Sequence, residues 1–281
     1  MIRPAQTRST FQLAAFLAAL CVAACSRAAL AEGFVQFYGG AATMSGGPAD
    51  MHAALFSPNA ANTQYPLNCS GTPGCVQNPD GTVDFPIQNP SFNSSFDWGI
   101  QIGGDGTANI ADKYPLILGG AFNLEGYDVG LNYTWPTPQF NTTFTHPYPT
   151  TSTQGGYVLQ PSGDFIIGAP LKFFRVYGEA GLTLPTLFYN YESHGYNGAS
   201  YGTGSSMSLG GELAVGARFN ITTHMYAFAE DRYSGIFLPF GIKASPQSGS
   251  GVDVLDSTLT IKSLNVNHAV VGVGFRWGNP S

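Results

Sequence analysis

Charged residues are few in this chain, and those present fall at even spacing on short stretches where apolar and polar residues alternate. Arg175 and Glu179 share one parity of residues 173–184, Glu212 and Arg218 one parity of 208–220, and Glu230 and Arg232 one parity of 225–233. Three carboxylates drawn together offer a cation site or general acid and base chemistry. Interleaved with arginines, they offer a set of enclosed ion pairs instead. The five histidines, His52, His146, His194, His224 and His268, stand apart from one another, and none has a serine two residues on. No phosphate-binding glycine loop, metal-ligand cluster or nucleophile elbow is visible. The sequence therefore predicts no catalytic residue, no metal and no cofactor. Cys69 and Cys75 enclose the turn-forming Ser70-Gly71-Thr72-Pro73-Gly74. In an oxidising exported compartment they are expected to form a disulfide that staples a loop; without a nearby histidine the pair does not suit zinc.

The elements that must position these charges alternate with the period of two expected of β-strands. Eight such stretches are expected: Gly33 to Met44, Ser95 to Gly104, Pro115 to Tyr127, Tyr157 to Ala169, Phe173 to Leu184, Ser208 to Asn220, Met225 to Tyr233 and Leu264 to Trp277. The second has the clearest pattern, with Phe96, Trp98, Ile100 and Ile102 opposite Asp97, Gly99, Gln101 and Gly103. In the seventh, the facing is ambiguous. Parity sends Asp97, Glu125, Asp164, Arg175, Glu179, Glu212, Arg218, Glu230, Arg232 and Arg276 to one side and Asp231 alone to the other. Such sorting is what a transmembrane barrel imposes, because a charge on the lipid face is costly. An eight-stranded barrel has room inside only for side chains, so the favoured reading is a salt-bridged plug rather than a pore. Glu179, Glu212 and Glu230 with Arg232 are expected at similar height, and Arg175 and Arg218 nearer the periplasmic end. Removing one partner, as in Glu212→Ala, is expected to cost on the order of 3–5 kcal/mol if the pair is fully buried.

Composition supports a membrane barrel. Only 10% of the 281 residues are charged, against 36 glycines and 13% aromatics, whereas ordinary soluble domains carry roughly 25% charge. The longest apolar run, Phe11 to Cys25, is too short for a bilayer-spanning helix. With Arg3 and Arg8 before it and Ala29-Leu30-Ala31 after it, the run has the form of a secretory signal peptide cleaved after Ala31. A lipoprotein cut at Cys25 is the alternative. The mature chain keeps 8 basic against 17 acidic residues, a net charge near -9, which together with the lack of basic clusters excludes nucleic acid as a partner. The expected domains are thus a signal peptide over 1–31 and a barrel over 32–281. The outer connections, 45–94, 128–156, 185–207 and 234–263, are long. The inner ones, 105–114, 170–172 and 221–224, are shorter, as in outer-membrane barrels. Segments such as 197–204, rich in Gly, Ser, Thr and Asn, read as solvated, mobile loop.

The last segment, His268-Ala269-Val270-Val271-Gly272-Val273-Gly274-Phe275-Arg276-Trp277, is similar to the closing strand of the small outer-membrane β-barrel surface proteins, the OmpA-like and Brucella-type family. Tyr226 to Tyr233 resembles that family's penultimate strand. Two departures stand out: Gly278-Asn279-Pro280-Ser281 follow Trp277, where the family ends on its aromatic residue, and Asp231 occupies a usually aromatic position. The resemblance implies an all-β, eight-stranded antiparallel outer-membrane barrel. It further implies that Gly272, Phe275 and Trp277 carry a signal read by the barrel-assembly machinery. Outer-membrane lipid and lipopolysaccharide, and a host or cell-surface ligand held by the outer loops, are the other partners implied. Enzymes also occur on such barrels, but the deacylase His-x-Ser signature is missing here. A structural or interaction protein is the leading expectation; a narrow passive channel for small or apolar solutes is the alternative.

Overall fold

In a computed structural model, residues 32–47, 49–57, 63–65, 74–87, 91–110, 114–134, 151–195, 198–244 and 254–278 are described. Eight strands form the body: β1 (Glu32–Gly46), β2 (Ser95–Ile110), β3 (Tyr114–Thr134), β4 (Thr151–Pro170), β5 (Phe174–Thr183), β6 (Gly210–Asn220), β7 (Met225–Ile236) and β8 (Leu264–Trp277). Each pairs antiparallel with its neighbours in sequence, and β8 returns to β1 with Gly33 opposite Trp277 and Gly46 opposite Leu264. The sheet is therefore closed, an all-β eight-stranded antiparallel barrel, and closure leaves its strands no free edge.

All eight expected stretches become strands, and most run further than their alternation suggested. The connection expected over 105–114 contracts, because β2 continues to Ile110, which pairs with Tyr114 at the start of β3. The seventh stretch owes its ambiguity to aromatics that turn inward: Tyr226 and Phe228 are buried. On the adjacent β8, a Cβ on Gly274 would lie 2.2 Å from the Tyr226 ring, and one on Gly272 would lie 2.2 Å from the Phe37 carbonyl oxygen and 2.6 Å from the Phe228 ring. These rings thus fill space that any larger residue on β8 would take, and burial goes to aromatics on an otherwise polar face.

The long connections differ most from expectation. Instead of mobile chain, the first and last of them build a second sheet in the order Phe240–Ala244, Val254–Ile261, Ala49–Ser57, Val83–Ile87 and Val76–Gln77, with Thr63–Tyr65 also on Ala49–Ser57. A hairpin, Thr186–Gly195 with Gly198–Met207, continues the barrel wall beyond β4. Segment 197–204, read from its composition as loop, lies mostly in that hairpin. Alternation explains the second sheet: Ala49 and Met51, Val83, Phe85 and Ile87, Phe240 and Ile242, and Leu259 and Ile261 all face one side. Together with rim residues such as Ala42, Tyr127, Leu131 and Val266 they form one apolar core. The sheet caps the barrel at its long-connection end, and the burial of those side chains holds it there.

The wall sorts its side chains as parity requires. Phe96, Trp98, Ile102, Phe165, Leu213, Val215, Val271 and Phe275 are exposed outward along the strands. Asp231 is exposed among them, opposite Val215 and Ala269.

Candidate functional site in the lumen

The interior holds ionic and polar side chains, because the outward parity is taken by apolar ones. All ten charges assigned inward from the sequence lie there, and Glu32 and Asp105 join them. Their parity was readable, but both stand at or beyond the strand ends assigned from sequence. The charges fall into two groups, each organised by an arginine.

Arg232, with no exposed surface, is the centre of the first. Its Nη2 lies 2.5 Å and its Nε 2.9 Å from Glu230, with Glu212 at 3.6 Å and Glu125 at 3.8 Å. Nη1 donates to the Tyr38 hydroxyl at 2.9 Å, and the guanidinium stands 5.2 Å from the Tyr38 ring. Gln160 donates to both Glu125 and Glu212 at 3.3 Å, and Ser162 donates to Asp164 at 2.9 Å.

Arg218 organises the second group, toward the short-turn rim. It donates to Asp105 at 2.7 Å, lies 3.8 Å from Glu179 and stacks 4.4–4.5 Å from the Tyr177 and Phe34 rings. Arg175 bridges Glu32 at 3.3 Å and Asp105 at 3.4 Å, and Arg276 reaches Glu32 at 3.5 Å. A small pocket opens here, lined by these arginines with Glu32, Asp105, Phe34 and Tyr226.

One sequence expectation is corrected. Glu212 and Glu230 do meet Arg232, but Glu179 does not: it accepts from Gln101 at 2.7 Å and faces Arg218. Heights counted along strands from their turns neglect the stagger between neighbours that closes a barrel. Arg175 and Arg218 sit together toward the short-turn rim, as expected.

Sequence reasoning also left His268 without a role. It is completely buried, with Nδ1 3.0 Å from Asp97 and 3.2 Å from Glu125, and Nε2 3.2 Å from the Ser234 hydroxyl. The Tyr127 ring meets it edge-on at 5.1 Å between centroids. Ligand-type residues from three strands thus converge where no metal cluster was expected. The spacing of 28 and 143 residues between them hides this; only parity, which faces all three inward, could have shown it.

Of the closing-strand residues, Phe275 and Trp277 face outward while Gly272 lies against Phe37 and Phe228. Cys75 is partly buried beside the apolar cap. Its expected partner Cys69, the signal segment 1–31 and residues 279–281 lie outside the described residues.

No protein-family model and no curated protein matches the sequence. Among solved structures, the chain is similar to the outer membrane protein OprG from Pseudomonas aeruginosa, with 16% identity and a TM-score of 0.38 over 89% of this chain and 98% of that one. It is similar to the outer membrane protease OmpT from Escherichia coli, with 10% identity and a TM-score of 0.42 over 88% and 97%. It is also similar to Neisserial surface protein A, with 12% identity and a TM-score of 0.34 over 87% and 97%. Strand pairing, not these distant likenesses, carries the fold.

Proposed function

We propose that this chain is an integral outer-membrane surface protein: a closed barrel that anchors a folded cap outside the cell and conducts nothing through its lumen. The observation that carries this reading is the opposed sorting of the wall. An apolar band faces outward around the strands, while among the described residues eight carboxylates and four arginines face an interior packed with side chains. A solvated barrel would gain nothing from the first and would not need the second. The long-connection end, with its cap, is the outer one, and the short turns face the periplasm. Outer-membrane lipid and lipopolysaccharide are the partners of the wall, and a host or cell-surface ligand is the partner of the cap. Nothing in this role calls for an enzyme or a cofactor.

Three finer assignments belong to this reading. Export proceeds with cleavage after Ala31, which makes Glu32, the first residue of β1 and an ion-pair partner of Arg175 and Arg276, the mature N-terminus. Cys69 and Cys75 form a disulfide that staples the cap. Kinship with the OmpA-like and Brucella-type proteins rests on the closing strand, whose Phe275 and Trp277 present an outward aromatic signal to the assembly machinery.

The test is single-channel recording of the refolded mature chain in planar bilayers. No stepwise conductance is expected. Steady open events that persist in several independent preparations would overturn the closed-lumen reading and leave the narrow channel as the function.

A further inference from the structure

The interior is short of positive charge. Among the described residues, eight buried carboxylates face four arginines, and the deficit is uneven. Three of the arginines, Arg175, Arg218 and Arg276, gather at the short-turn rim with Glu32 and Asp105, leaving Arg232 as the arginine of the middle and outer lumen. Enclosed carboxylates without compensating charge are expensive, and proteins meet that cost by pairing them or coordinating metals.

At the outer end of this acidic stretch stand Asp97, Glu125 and His268, one donor atom from each within 4.8 Å of the others. His268 Nδ1 lies 3.0 Å from Asp97 Oδ2 and 3.2 Å from Glu125 Oε1. A divalent ion bound at about 2.1 Å by nitrogen and oxygen donors places adjacent donors roughly 3.0–3.4 Å apart, so both carboxylates already stand at ligand spacing from the imidazole nitrogen. Glu125 Oε1, which points into the cluster, and Asp97 Oδ1 are buried with no hydrogen-bond partner, although both residues are completely buried. Carboxylate oxygens left over in a sealed interior call for a cation.

The surroundings are those a ligand set needs. Ser234 accepts a hydrogen from His268 Nε2 at 3.2 Å when Nδ1 is bare, which fixes the ring with its free nitrogen toward both carboxylates. Gln160 holds the other oxygen of Glu125. Metal-bound imidazoles and carboxylates are oriented by such outer partners. Imidazole favours zinc and its first-row neighbours over magnesium or calcium.

We infer that Asp97, Glu125 and His268 form a zinc-type divalent metal site that clamps β2, β3 and β8 together beneath the cap. The apolar cap lies above the site and Arg232 stands beside it, paired with His268 across β7 and β8 and 3.8 Å from the other oxygen of Glu125, so the ion enters while the barrel closes and serves structure rather than transport. This inference rests on the barrel and not on the proposed surface role.

The test uses the mature chain in detergent, unfolded and refolded with zinc chloride or with EDTA, then desalted. About one zinc per folded chain is expected to survive gel filtration, with a melting temperature several degrees above that of EDTA-refolded material. Asp97→Asn and His268→Gln, refolded alike and checked by gel mobility, should hold under a tenth of an equivalent and lose the temperature increment. Ser234→Ala, a change outside the ligand set, should bind about tenfold more weakly. Correctly folded wild type that retains no zinc overturns the proposal even if every variant misfolds. So does zinc that disappears in His52→Ala, at the surface pair with Asp84, but persists in His268→Gln.

Discussion

At the residue scale, the arginines rather than the acids are the irreplaceable members of the network. Arg232 is the guanidinium for Glu230, Glu212 and Glu125, so Arg232→Met removes the charge that three carboxylates share. It should cost on the order of 3–5 kcal/mol, the range for breaking a buried pair, measured as reduced thermal stability in detergent. Glu212→Gln removes one negative charge from an interior with too many and keeps one acceptor oxygen, for Ser162 or for Gln160, which meet different oxygens of the carboxylate. Its effect should be about 1 kcal/mol or less, within the ordinary range of a single hydrogen bond. The larger loss expected from the sequence is for Glu212→Ala, which removes both acceptor oxygens as well as the charge. Asp231 makes the opposite prediction. It faces outward between apolar neighbours, and Asp231→Leu should stabilise the folded protein in lipid by about 1–2 kcal/mol, since acids on the lipid face cost somewhat less than basic residues. Urea titration in vesicles would measure it.

At the scale of single elements, the barrel strands were legible because each alternates cleanly: Asp97 to Ile102 could be assigned to two faces residue by residue. β7 resisted because Tyr226 and Phe228 serve the interior, a packing fact that depends on glycines of β8 about 46 residues away. The prediction there is that Gly272→Ala lowers the melting temperature more than Ala269→Gly, because its new methyl would meet backbone at Phe37, which cannot swing aside. The cap was not recognised, although Val83-Asp84-Phe85-Pro86-Ile87 alternates as well as any barrel strand. Its strands are short, embedded in Gly- and Ser-rich chain, and paired across about 200 residues, as between Ala49 and Ile261. The same distance in sequence concealed the juxtaposition of His268 with Asp97 and Glu125.

The cap also carries a pH response of its own. Asp84 accepts a hydrogen bond from Asn78 at 2.8 Å and faces His52 at 2.7 Å, which together hold its carboxyl below the ordinary range. Because the folded value is the lower one, this contribution is present above the unfolded range and is lost as pH falls through the folded value. Half exposure keeps it small. Hydrogen exchange of 83–87 should therefore accelerate on acidification below the carboxylate range, and Asp84→Asn should remove that dependence while barrel amides stay protected.

For the whole molecule, closure and sorting make an amphiphile a requirement of folding. The outward band has no aqueous solution, so the chain in plain buffer should remain unfolded or aggregate, and should acquire heat-modifiable gel mobility only with detergent or lipid. A monomer that is folded in buffer alone would contradict this. The cap should behave as a separable layer: Phe85→Ala, deep in its core, should cost about 3–5 kcal/mol there. Limited proteolysis should then cut the outer connections while the barrel keeps its mobility.

The cap strand Ala49–Ser57 follows β1, and Val254–Ile261 precedes β8; the two pair with each other just as β1 and β8 do below them. The first and last staves of the barrel are therefore joined twice, once in the wall and once in the layer above it. A clasp so placed can fasten only after the ends of the chain have met, and it must be undone before they can part. Whatever water or ion the interior encloses at that moment is sealed in for as long as the fastening holds.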